Sequence, residues 1–126
     1  MDFPSIERIN EILDELAEEL PPIFFEKLNL GIVLLDEMKR HPASQGDDLW
    51  ILGEYTRGPI GNGIRLYYLS LKTVFNRLDE QSLVEKLRGV LRHEFRHHLE
   101  FLSGERGLEI EDEAFLKAYQ NRKRPK

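Results

Sequence analysis

Residues 91–100 read LRHEFRHHLE, and this stretch carries His93, Glu94 and His97 in the pattern His-Glu-x-x-His. Residues four apart on an α-helix lie one above the other on the same face. The imidazoles of His93 and His97 can therefore reach one metal ion. Glu94, one step round the helix, can act as a general base on a water at that ion. The pattern predicts a zinc site of the kind found in metallopeptidases.

The alternative interpretation is a polar helix face that carries histidines by accident. The chain has 4 histidines, and three of them, His93, His97 and His98, fall in this one segment, which favours the metal site. His98 points about 100° away from His97 round a helix, so it cannot bind the same ion. We expect His98 to form a hydrogen bond or to lie at the edge of the site.

A long helix packed against a sheet is predicted around the motif, because apolar residues recur there at helical spacing. Asp79 or Ser82 is expected to cap this helix, since residues 82–85 have the capping-box pattern. Ser103-Gly104 and Arg106-Gly107 are expected to stop it. The apolar stripe consists of Leu83, Leu87, Val90, Leu91, Phe95 and Leu102.

The two motif histidines, His93 and His97, lie at one border of this stripe, so we expect them to face a cleft. Gly89 lies one turn before His93. Two interpretations of this glycine remain open. Its missing side chain either makes room beside the metal or allows tight packing of the helix on the sheet.

A catalytic zinc needs a third protein ligand besides His93 and His97. A carboxylate on a last helix, predicted at residues 109–121, can supply it. Asp112 is the first choice and Glu111 the second, because both lie on or beside the apolar face of that helix. A lone loop histidine, His41, is a further possibility, although such residues are usually just solvated. The wider set of downstream acids is Glu105, Glu109, Glu111, Asp112 and Glu113.

The remaining pattern predicts an α+β fold of one domain, residues 1–126. An amphipathic helix capped by Ser5 precedes Pro21-Pro22, which end it. The rest of the prediction is a buried strand, a loop, two strands joined by a wide glycine-rich connection, and a short helix or connector. The first helix is expected at 5–20, the buried strand at 29–36 and the loop at 39–48. The two strands are expected at 49–56 and 64–69, their connection at 57–63, and the short helix or connector at 70–78.

Composition limits the class of protein. The chain has 126 residues, of which 40% are hydrophobic and 33% charged, and it has no cysteine. No apolar run approaches the roughly 20 residues that span a bilayer, and the N-terminus has no secretory pattern. The net charge of −5 argues against nucleic acid as a partner. We therefore expect a cytoplasmic protein that binds neither membranes nor nucleic acids.

Most of the chain also resembles the small bacterial zincin-like metallopeptidases, the "minimal zincin" group. The doubled histidine after His93-Glu94 is the most specific point of resemblance. It implies an α+β fold with a short mixed β-sheet packed on the active-site helix, N- and C-terminal helices, and zinc held by two histidines and a downstream acid. The similar segments are residues 20–22, 31–37, 51–55, 64–67, 90–98 and the acidic 109–113.

The chain departs from this group at two positions. Many members have His-Glu-x-x-His-His-x-Gly-x-x-Asp, whereas this sequence has Glu100 at the glycine and Ser103 at the aspartate. The departure allows the third-ligand role to shift to residues 109–113, which agrees with the choice of Asp112 or Glu111.

The resemblance implies a zinc-dependent peptidase acting on a peptide or protein substrate, with Glu94 as the base. An extended substrate is expected along a sheet edge, at residues 49–55 or 64–68. Tyr67, Tyr68 or Arg65 could stabilise an oxyanion, although packing roles are the more common alternative. Two other functions stay open. One is a non-catalytic metal-binding or protein-interaction domain on a zincin scaffold, and the other is a metal-free helical adaptor.

Overall fold

Three α-helices and two small β-sheets form the part of the chain that the structure describes. The structure is a computed structural model that describes residues 2–43 and 49–106. The elements in order are α1 (Ile6–Glu18), a 3₁₀ turn (Pro22–Phe25), β1 (Gly31–Leu35), β2 (Lys39–Arg40), β3 (Trp50–Ile51), β4 (Gly53–Gly58), β5 (Gly61–Tyr67), α2 (Tyr68–Phe75) and α3 (Glu80–Arg106).

The larger sheet has three strands in the order β1-β5-β4. β1 runs parallel to β5, with Ile32 beside Ile64, and β4 runs antiparallel to β5, with Tyr55 beside Ile64. β2 and β3 form a separate antiparallel pair. The α+β class with a short mixed sheet is therefore confirmed, and β4 is an edge strand among the described residues.

Helix α1 forms where the sequence predicted it. The Ser5 side chain accepts a hydrogen bond from the Arg8 N–H at 3.1 Å, which satisfies a backbone donor that the first turn of a helix leaves without a partner. Arg8 also donates to Glu80 on α3 at 2.8 Å. The buried face of α1 consists of Ile9, Ile12, Leu13 and Leu16.

Helix α3 begins after Asp79, whose carboxylate accepts the Ser82 N–H at 2.7 Å. Asp79 is therefore the cap, and the alternative in which Ser82 caps the helix is wrong. Of the two expected stop signals, Ser103-Gly104 does not end the helix, whereas the described part of α3 extends to Arg106, where the second signal begins. Leu102 and Ser103 are buried, so core packing offsets the roughly 1 kcal/mol that a helical glycine costs.

The core lies between α1, α3 and the sheet, and α3 contributes the largest share of its residues. Phe95 is fully buried, and its ring contacts the rings of Phe24 and Phe25 at centroid distances of 5.8 and 5.3 Å. This contact holds the 3₁₀ turn on α3. The α3 residues in the core are Leu83, Leu87, Leu91, Phe95, Leu99 and Leu102.

The connection between β4 and β5 is tight, so the predicted wide glycine-rich connection is wrong. Gly58 pairs with Gly61, which leaves two residues in the loop. The Asn29 side chain accepts the Asn62 N–H at 3.0 Å. A Cβ on Gly61 would lie 2.1 Å from the Asn29 amide, and the φ of Gly61 is +141°. A contact from a distant part of the chain therefore sets this turn.

Three smaller predictions also need correction. β1 was expected to be buried, yet it is an edge strand in which Val33 is 43% exposed. The expected loop at 39–48 begins with the short strand β2, and the strand expected at 49–56 is divided into β3 and β4. Of the two alternatives at 70–78, the short helix is confirmed, because α2 covers Tyr68–Phe75. The C-terminal helix expected at 109–121 lies outside the described residues.

No helix in the described ranges 2–43 and 49–106 has the length and apolar character needed to cross a membrane.

β4 packs directly on α3 through the close approach of Gly53. A Cβ on Gly53 would lie 2.6 Å from Leu66 Cδ2, 3.1 Å from the Arg65 carbonyl oxygen and 3.5 Å from Glu94 Cγ. Leu66 is fully buried and has little room to move. Only glycine at this position allows β4 to lie this close to both α3 and the neighbouring strand β5.

Gly53→Ala is therefore expected to destabilise the protein by about 1–3 kcal/mol through overpacking. Gly58→Ala is the matched control, because a Cβ at Gly58 on the same strand meets nothing within 4 Å. We expect the control to stay within about 0.5 kcal/mol of the wild type. Denaturant unfolding measures both values, and equal losses for the two variants would show that the close approach does not exist.

Candidate functional site

His93 and His97 lie one turn apart on the exposed side of α3. Their ring centroids are 5.2 Å apart and the rings are nearly perpendicular, at 88°. Both rings line an open groove of about 620 Å³ between α3 and β4. The structure thus brings the two predicted histidines together at a groove. The residues that line it include Gly53, Glu54, Tyr55, Arg57, Glu100 and Phe101.

Glu94 lies between the helix and the strand at the floor of this groove, and it is only 6% exposed. Its burial raises the pKa of the carboxyl above the ordinary value, whereas the charges of His93 and His97 act in the opposite direction. The backbone N–H of Tyr55 donates a hydrogen bond to the carboxylate and also favours the charged form. The carboxylate is therefore anchored to β4 and poised to take up a proton.

β4 presents free backbone groups to the groove. The Tyr67 N–H donates to the Leu52 carbonyl at 3.0 Å, and this bond sets the alternation of an antiparallel ladder. The backbone N–H and C=O groups of Leu52, Glu54 and Thr56 therefore point toward β5. Gly53, Tyr55 and Arg57 point theirs outward, and Glu94 takes the outward N–H of Tyr55. The edge beside the histidines can therefore accept another extended chain.

His98 lies beneath the groove and is fully buried. Its Nε2 lies 2.6 Å from the Glu26 carbonyl oxygen, and its Nδ1 lies 2.7 Å from the Tyr55 hydroxyl. A carbonyl only accepts, so Nε2 carries the proton, and Nδ1 accepts from the Tyr55 O–H. Burial lowers the pKa of His98, which agrees with a neutral ring. The expected hydrogen-bonding role is confirmed, and it joins α3 to β4 and to the 3₁₀ turn.

The tyrosines considered for oxyanion binding have other partners. The Tyr67 hydroxyl donates to Glu54 at 2.6 Å, and the Tyr68 hydroxyl donates to the Pro4 carbonyl at 2.6 Å. Both bonds agree with the alternative of packing roles. The expectation of a free sheet edge at residues 64–68 is wrong, because β5 lies between β1 and β4.

A second cavity, of about 380 Å³, continues from the groove toward the start of α3. It shares Gly53, His93 and Glu94 with the groove. Gly89 also lines it, and a Cβ there would meet nothing within 4 Å. The alternative of tight packing at Gly89 is therefore wrong, and the missing side chain leaves space beside His93. The more apolar part of the lining consists of Trp50, Ile51, Leu52 and Val90.

The described residues do not supply a third ligand. Across 2–43 and 49–106, no group of three or more His, Asp or Glu side chains is arranged to hold a metal. Asp112, Glu111 and the other acids of 109–113 lie outside these ranges. His41 lines the second cavity with His93, but its Nδ1 already accepts the Ala43 N–H at 3.0 Å.

Ser103 and Glu100, the two positions where the chain departs from the resembling group, lie in different surroundings. Ser103 is buried in the core face of α3. Glu100 is exposed at the groove, with its carboxylate 3.8 Å from His97 Nδ1. The serine therefore lies away from the open space in front of the histidines.

Sequence reasoning missed the contribution of β4 to the site. Gly53, Tyr55 and Arg57 alternate along the strand and contact Glu94, His98 and Phe101 in turn. A glycine inside a strand is a known signal for close backbone approach, so Gly53 could have been noticed. Tyr55 and Arg57 carried no such signal.

Comparison with known proteins finds similarity to solved structures. No protein-family model matches the chain, and no curated protein matches it either. A solved structure of a conserved hypothetical protein from Thermus thermophilus is 32% identical, with a TM-score of 0.69. The similarity covers 80% of this chain and 99% of the other.

The raised pKa of Glu94 has a consequence for stability. The folded state holds this proton more tightly than the unfolded chain, so stability is lost as the pH rises from the ordinary value of 4.5 through the folded pKa. Glu94→Gln has no titrating carboxyl at this position, so this variant does not lose stability in this way as the pH rises. We expect the metal-free variant to melt at a higher temperature than the wild type at about pH 7, with a gap that narrows as the pH falls toward about 4.

Glu54→Gln provides a control of opposite sign. The hydrogen bond from Tyr67 is the main cause that lowers the pKa of Glu54, so its contribution is present at neutral pH and lost as the pH falls. This variant should melt below the wild type at about pH 7 and approach it in acid. Thermal unfolding across a pH series measures both gaps. A gap for Glu94→Gln that is independent of pH would contradict the assignment.

Proposed function

We propose that this chain, which belongs to the same family as the conserved hypothetical protein from Thermus thermophilus, is a zinc-dependent metallopeptidase. The observation that carries the proposal is the juxtaposition of His93, Glu94 and His97 with β4, which is an edge strand within the described ranges. The two imidazoles face an open groove, and the carboxylate between them is buried against β4. We also propose that the fold is minimal zincin-like and that the protein is cytoplasmic.

The donor set on α3 fits zinc. Two imidazoles at i and i+4 are a common pair of zinc ligands, and the rings of His93 and His97 approach within 5.2 Å. The hydrogen bond from Tyr55 holds Glu94 on the strand side, which supports a role as base rather than ligand. We propose Asp112 as the third ligand and Glu111 as the second choice. When bound, zinc supplies the Lewis acidity that lowers the pKa of a water toward about 7.

Glu94 performs the proton transfers of the proposed reaction. Its carboxylate takes a proton from the attacking water and passes it to the leaving amine of the scissile peptide bond. Burial raises the pKa of Glu94, and a base is most effective when its pKa approaches the working pH.

The proposed substrate is a peptide in extended conformation. β4 offers the outward backbone groups of Gly53 and Arg57, so a peptide can pair with this edge while its backbone passes His93 and His97. The Tyr55 hydroxyl donates to His98 and has no proton left for an oxyanion. The hydroxyls of Tyr67 and Tyr68 also have other partners, and bound zinc would supply the stabilisation of the oxyanion.

The alternative function is a non-catalytic metal-binding or protein-interaction domain on the same scaffold. It is favoured by the finding that the described ranges 2–43 and 49–106 bring together no group of three metal-binding side chains. The two functions share the histidine pair and differ in what Glu94 does.

Zinc content tests the metal site. Protein purified without chelator is expected to hold about one zinc ion per chain, and His93→Ala and His97→Ala should each lose it. His41→Ala is the matched control and should keep the metal. Asp112→Ala and Glu111→Ala separate the two candidates for the third ligand. Elemental mass spectrometry gives the content, and zinc retained by a double His93→Ala, His97→Ala variant would disprove the site.

Peptide turnover separates the two functions. Glu94→Gln should keep zinc but lose about 10²–10⁴-fold in hydrolysis of a mixed decapeptide library, because it removes the base. Mass spectrometry of the products measures cleavage. Glu15→Gln, the same change on the exposed face of α1, should cleave at a rate close to that of the wild type. An equal rate for Glu94→Gln and the wild type would leave the non-catalytic function in place.

A further inference from the structure

The groove and the second cavity differ in chemistry although they form one continuous cleft. They meet at Gly53, His93 and Glu94, which line both. The groove continues toward Arg57 and Phe101, later in the strand and the helix. The second cavity continues the other way, along earlier residues of both elements. The two halves therefore follow one another along the direction in which an extended peptide would lie.

The far end of the groove carries Arg57, a cation with no acidic partner within the ranges 2–43 and 49–106. The Arg57 guanidinium lies over the Phe101 ring, 5.2 Å from its centroid, and a stacked guanidinium keeps its in-plane N–H donors available. No carboxylate of the described residues pairs with it. Arg8 and Arg88 differ in this respect, because they pair with Glu80 and Glu19.

The nearby acid Glu54 does not cancel this charge. Its carboxylate lies 2.9 Å from the Lys39 ammonium and accepts the Tyr67 hydroxyl. Arg57 therefore presents its positive charge and a fork of donors to whatever lies in the groove. The group that matches such a fork is a carboxylate.

The second cavity favours an apolar ligand group rather than a carboxylate. Its walls are largely Trp50, Ile51, Leu52 and Val90, and Gly89 leaves open space at one side. A concave site lined by apolar side chains favours an apolar ligand group. A large aliphatic or aromatic side chain is the group that would bury the most surface there.

Strand geometry sets the distance between the two features. A strand rises about 3.3 Å per residue, so Gly53, where the second cavity begins, and Arg57 are roughly 13 Å apart. A peptide paired with β4 has the same rise. Side chains on one face recur at every second residue, so the matching groups on the peptide are four or more residues apart.

We propose that the cleft selects peptides that carry a large apolar side chain and a carboxylate four or more residues apart, bound by the second cavity and by Arg57. This inference rests on the proposed function, because it places the peptide across His93 and Glu94. The carboxylate belongs either to an acidic side chain or to the C-terminus of the peptide.

Binding of labelled synthetic peptides to the full-length Glu94→Gln protein, followed by fluorescence anisotropy, tests the proposal without turnover. The parent peptide is a nonapeptide with one Leu and, four residues on, one Glu, in a Ser/Ala background with an amidated end. One variant peptide has Gln for Glu, and a second has Ala for Leu. A third lacks the Glu and ends in a free carboxylate at its position.

The parent peptide is expected to bind about fivefold more tightly than the Gln peptide, the range of a partly exposed charge pair, and the advantage should shrink as salt is added. It should also bind more tightly than the Ala peptide. The free-carboxylate peptide reveals the source of the acid. If the free-carboxylate peptide binds as tightly as the parent, Arg57 also accepts the C-terminus of a peptide. If it binds as weakly as the Gln peptide, Arg57 accepts acidic side chains only.

Variants of the protein locate the two preferences. With Glu94→Gln as background, Arg57→Gln should abolish the advantage of the Glu peptide and keep that of Leu. Gly89→Leu, which fills the second cavity, should do the reverse. Arg65→Gln is the matched control, because Arg65 carries the same charge on the neighbouring strand but does not line the groove.

Equal binding of the Glu and Gln peptides, or loss of the Glu advantage in Arg65→Gln as much as in Arg57→Gln, would overturn the inference. The binding experiment can succeed or fail independently of the proposed peptidase function. Selective binding without any cleavage by the wild-type protein would disprove the peptidase and keep the binding site. Cleavage without this selectivity would do the opposite.

Discussion

The contact between β4 and one face of α3 is the constraint on which the rest of the site depends. Alternate residues of the strand meet helix residues at i, i+4 and i+7: Gly53 lies against Glu94, Tyr55 against His98, and Arg57 against Phe101. Two strand residues rise about 6.6 Å and one helical turn about 5.4 Å, so the two spacings stay in step over this short length. The match requires a glycine where the strand comes nearest to the helix.

This contact explains the chemistry of Glu94. Packing against Gly53 buries the carboxylate and raises its pKa, and the outward N–H of Tyr55 anchors it. The neighbouring histidines on the same helix stay exposed because the strand covers only one face of α3. His98 keeps this arrangement rigid, since its ring joins Tyr55 to the Glu26 carbonyl. A buried base, two exposed imidazoles and a free strand edge thus result from one packing event.

Much of the fold was predictable because it depends on local patterns. The periodicity of apolar residues predicted α1 and α3, and Ser5 and the two prolines marked the limits of α1. Errors arose where a distant residue decides the outcome. Asn29 fixes the turn at Gly61, which sequence reasoning expected to be wide. Burial of Leu102 carries α3 past Ser103-Gly104, although glycine locally favours a stop.

The sequence by itself determined the pair His93 and His97 and the position of Glu94, because helical geometry relates residues four apart without reference to the rest of the chain. Only the tertiary structure decided that β4 is the edge strand beside them, that Glu94 is buried, and that His98 is a neutral bridge. The partners of His98 are 43 and 72 residues away in sequence. Contacts over such distances follow from the packing of whole elements, and no local pattern encodes them.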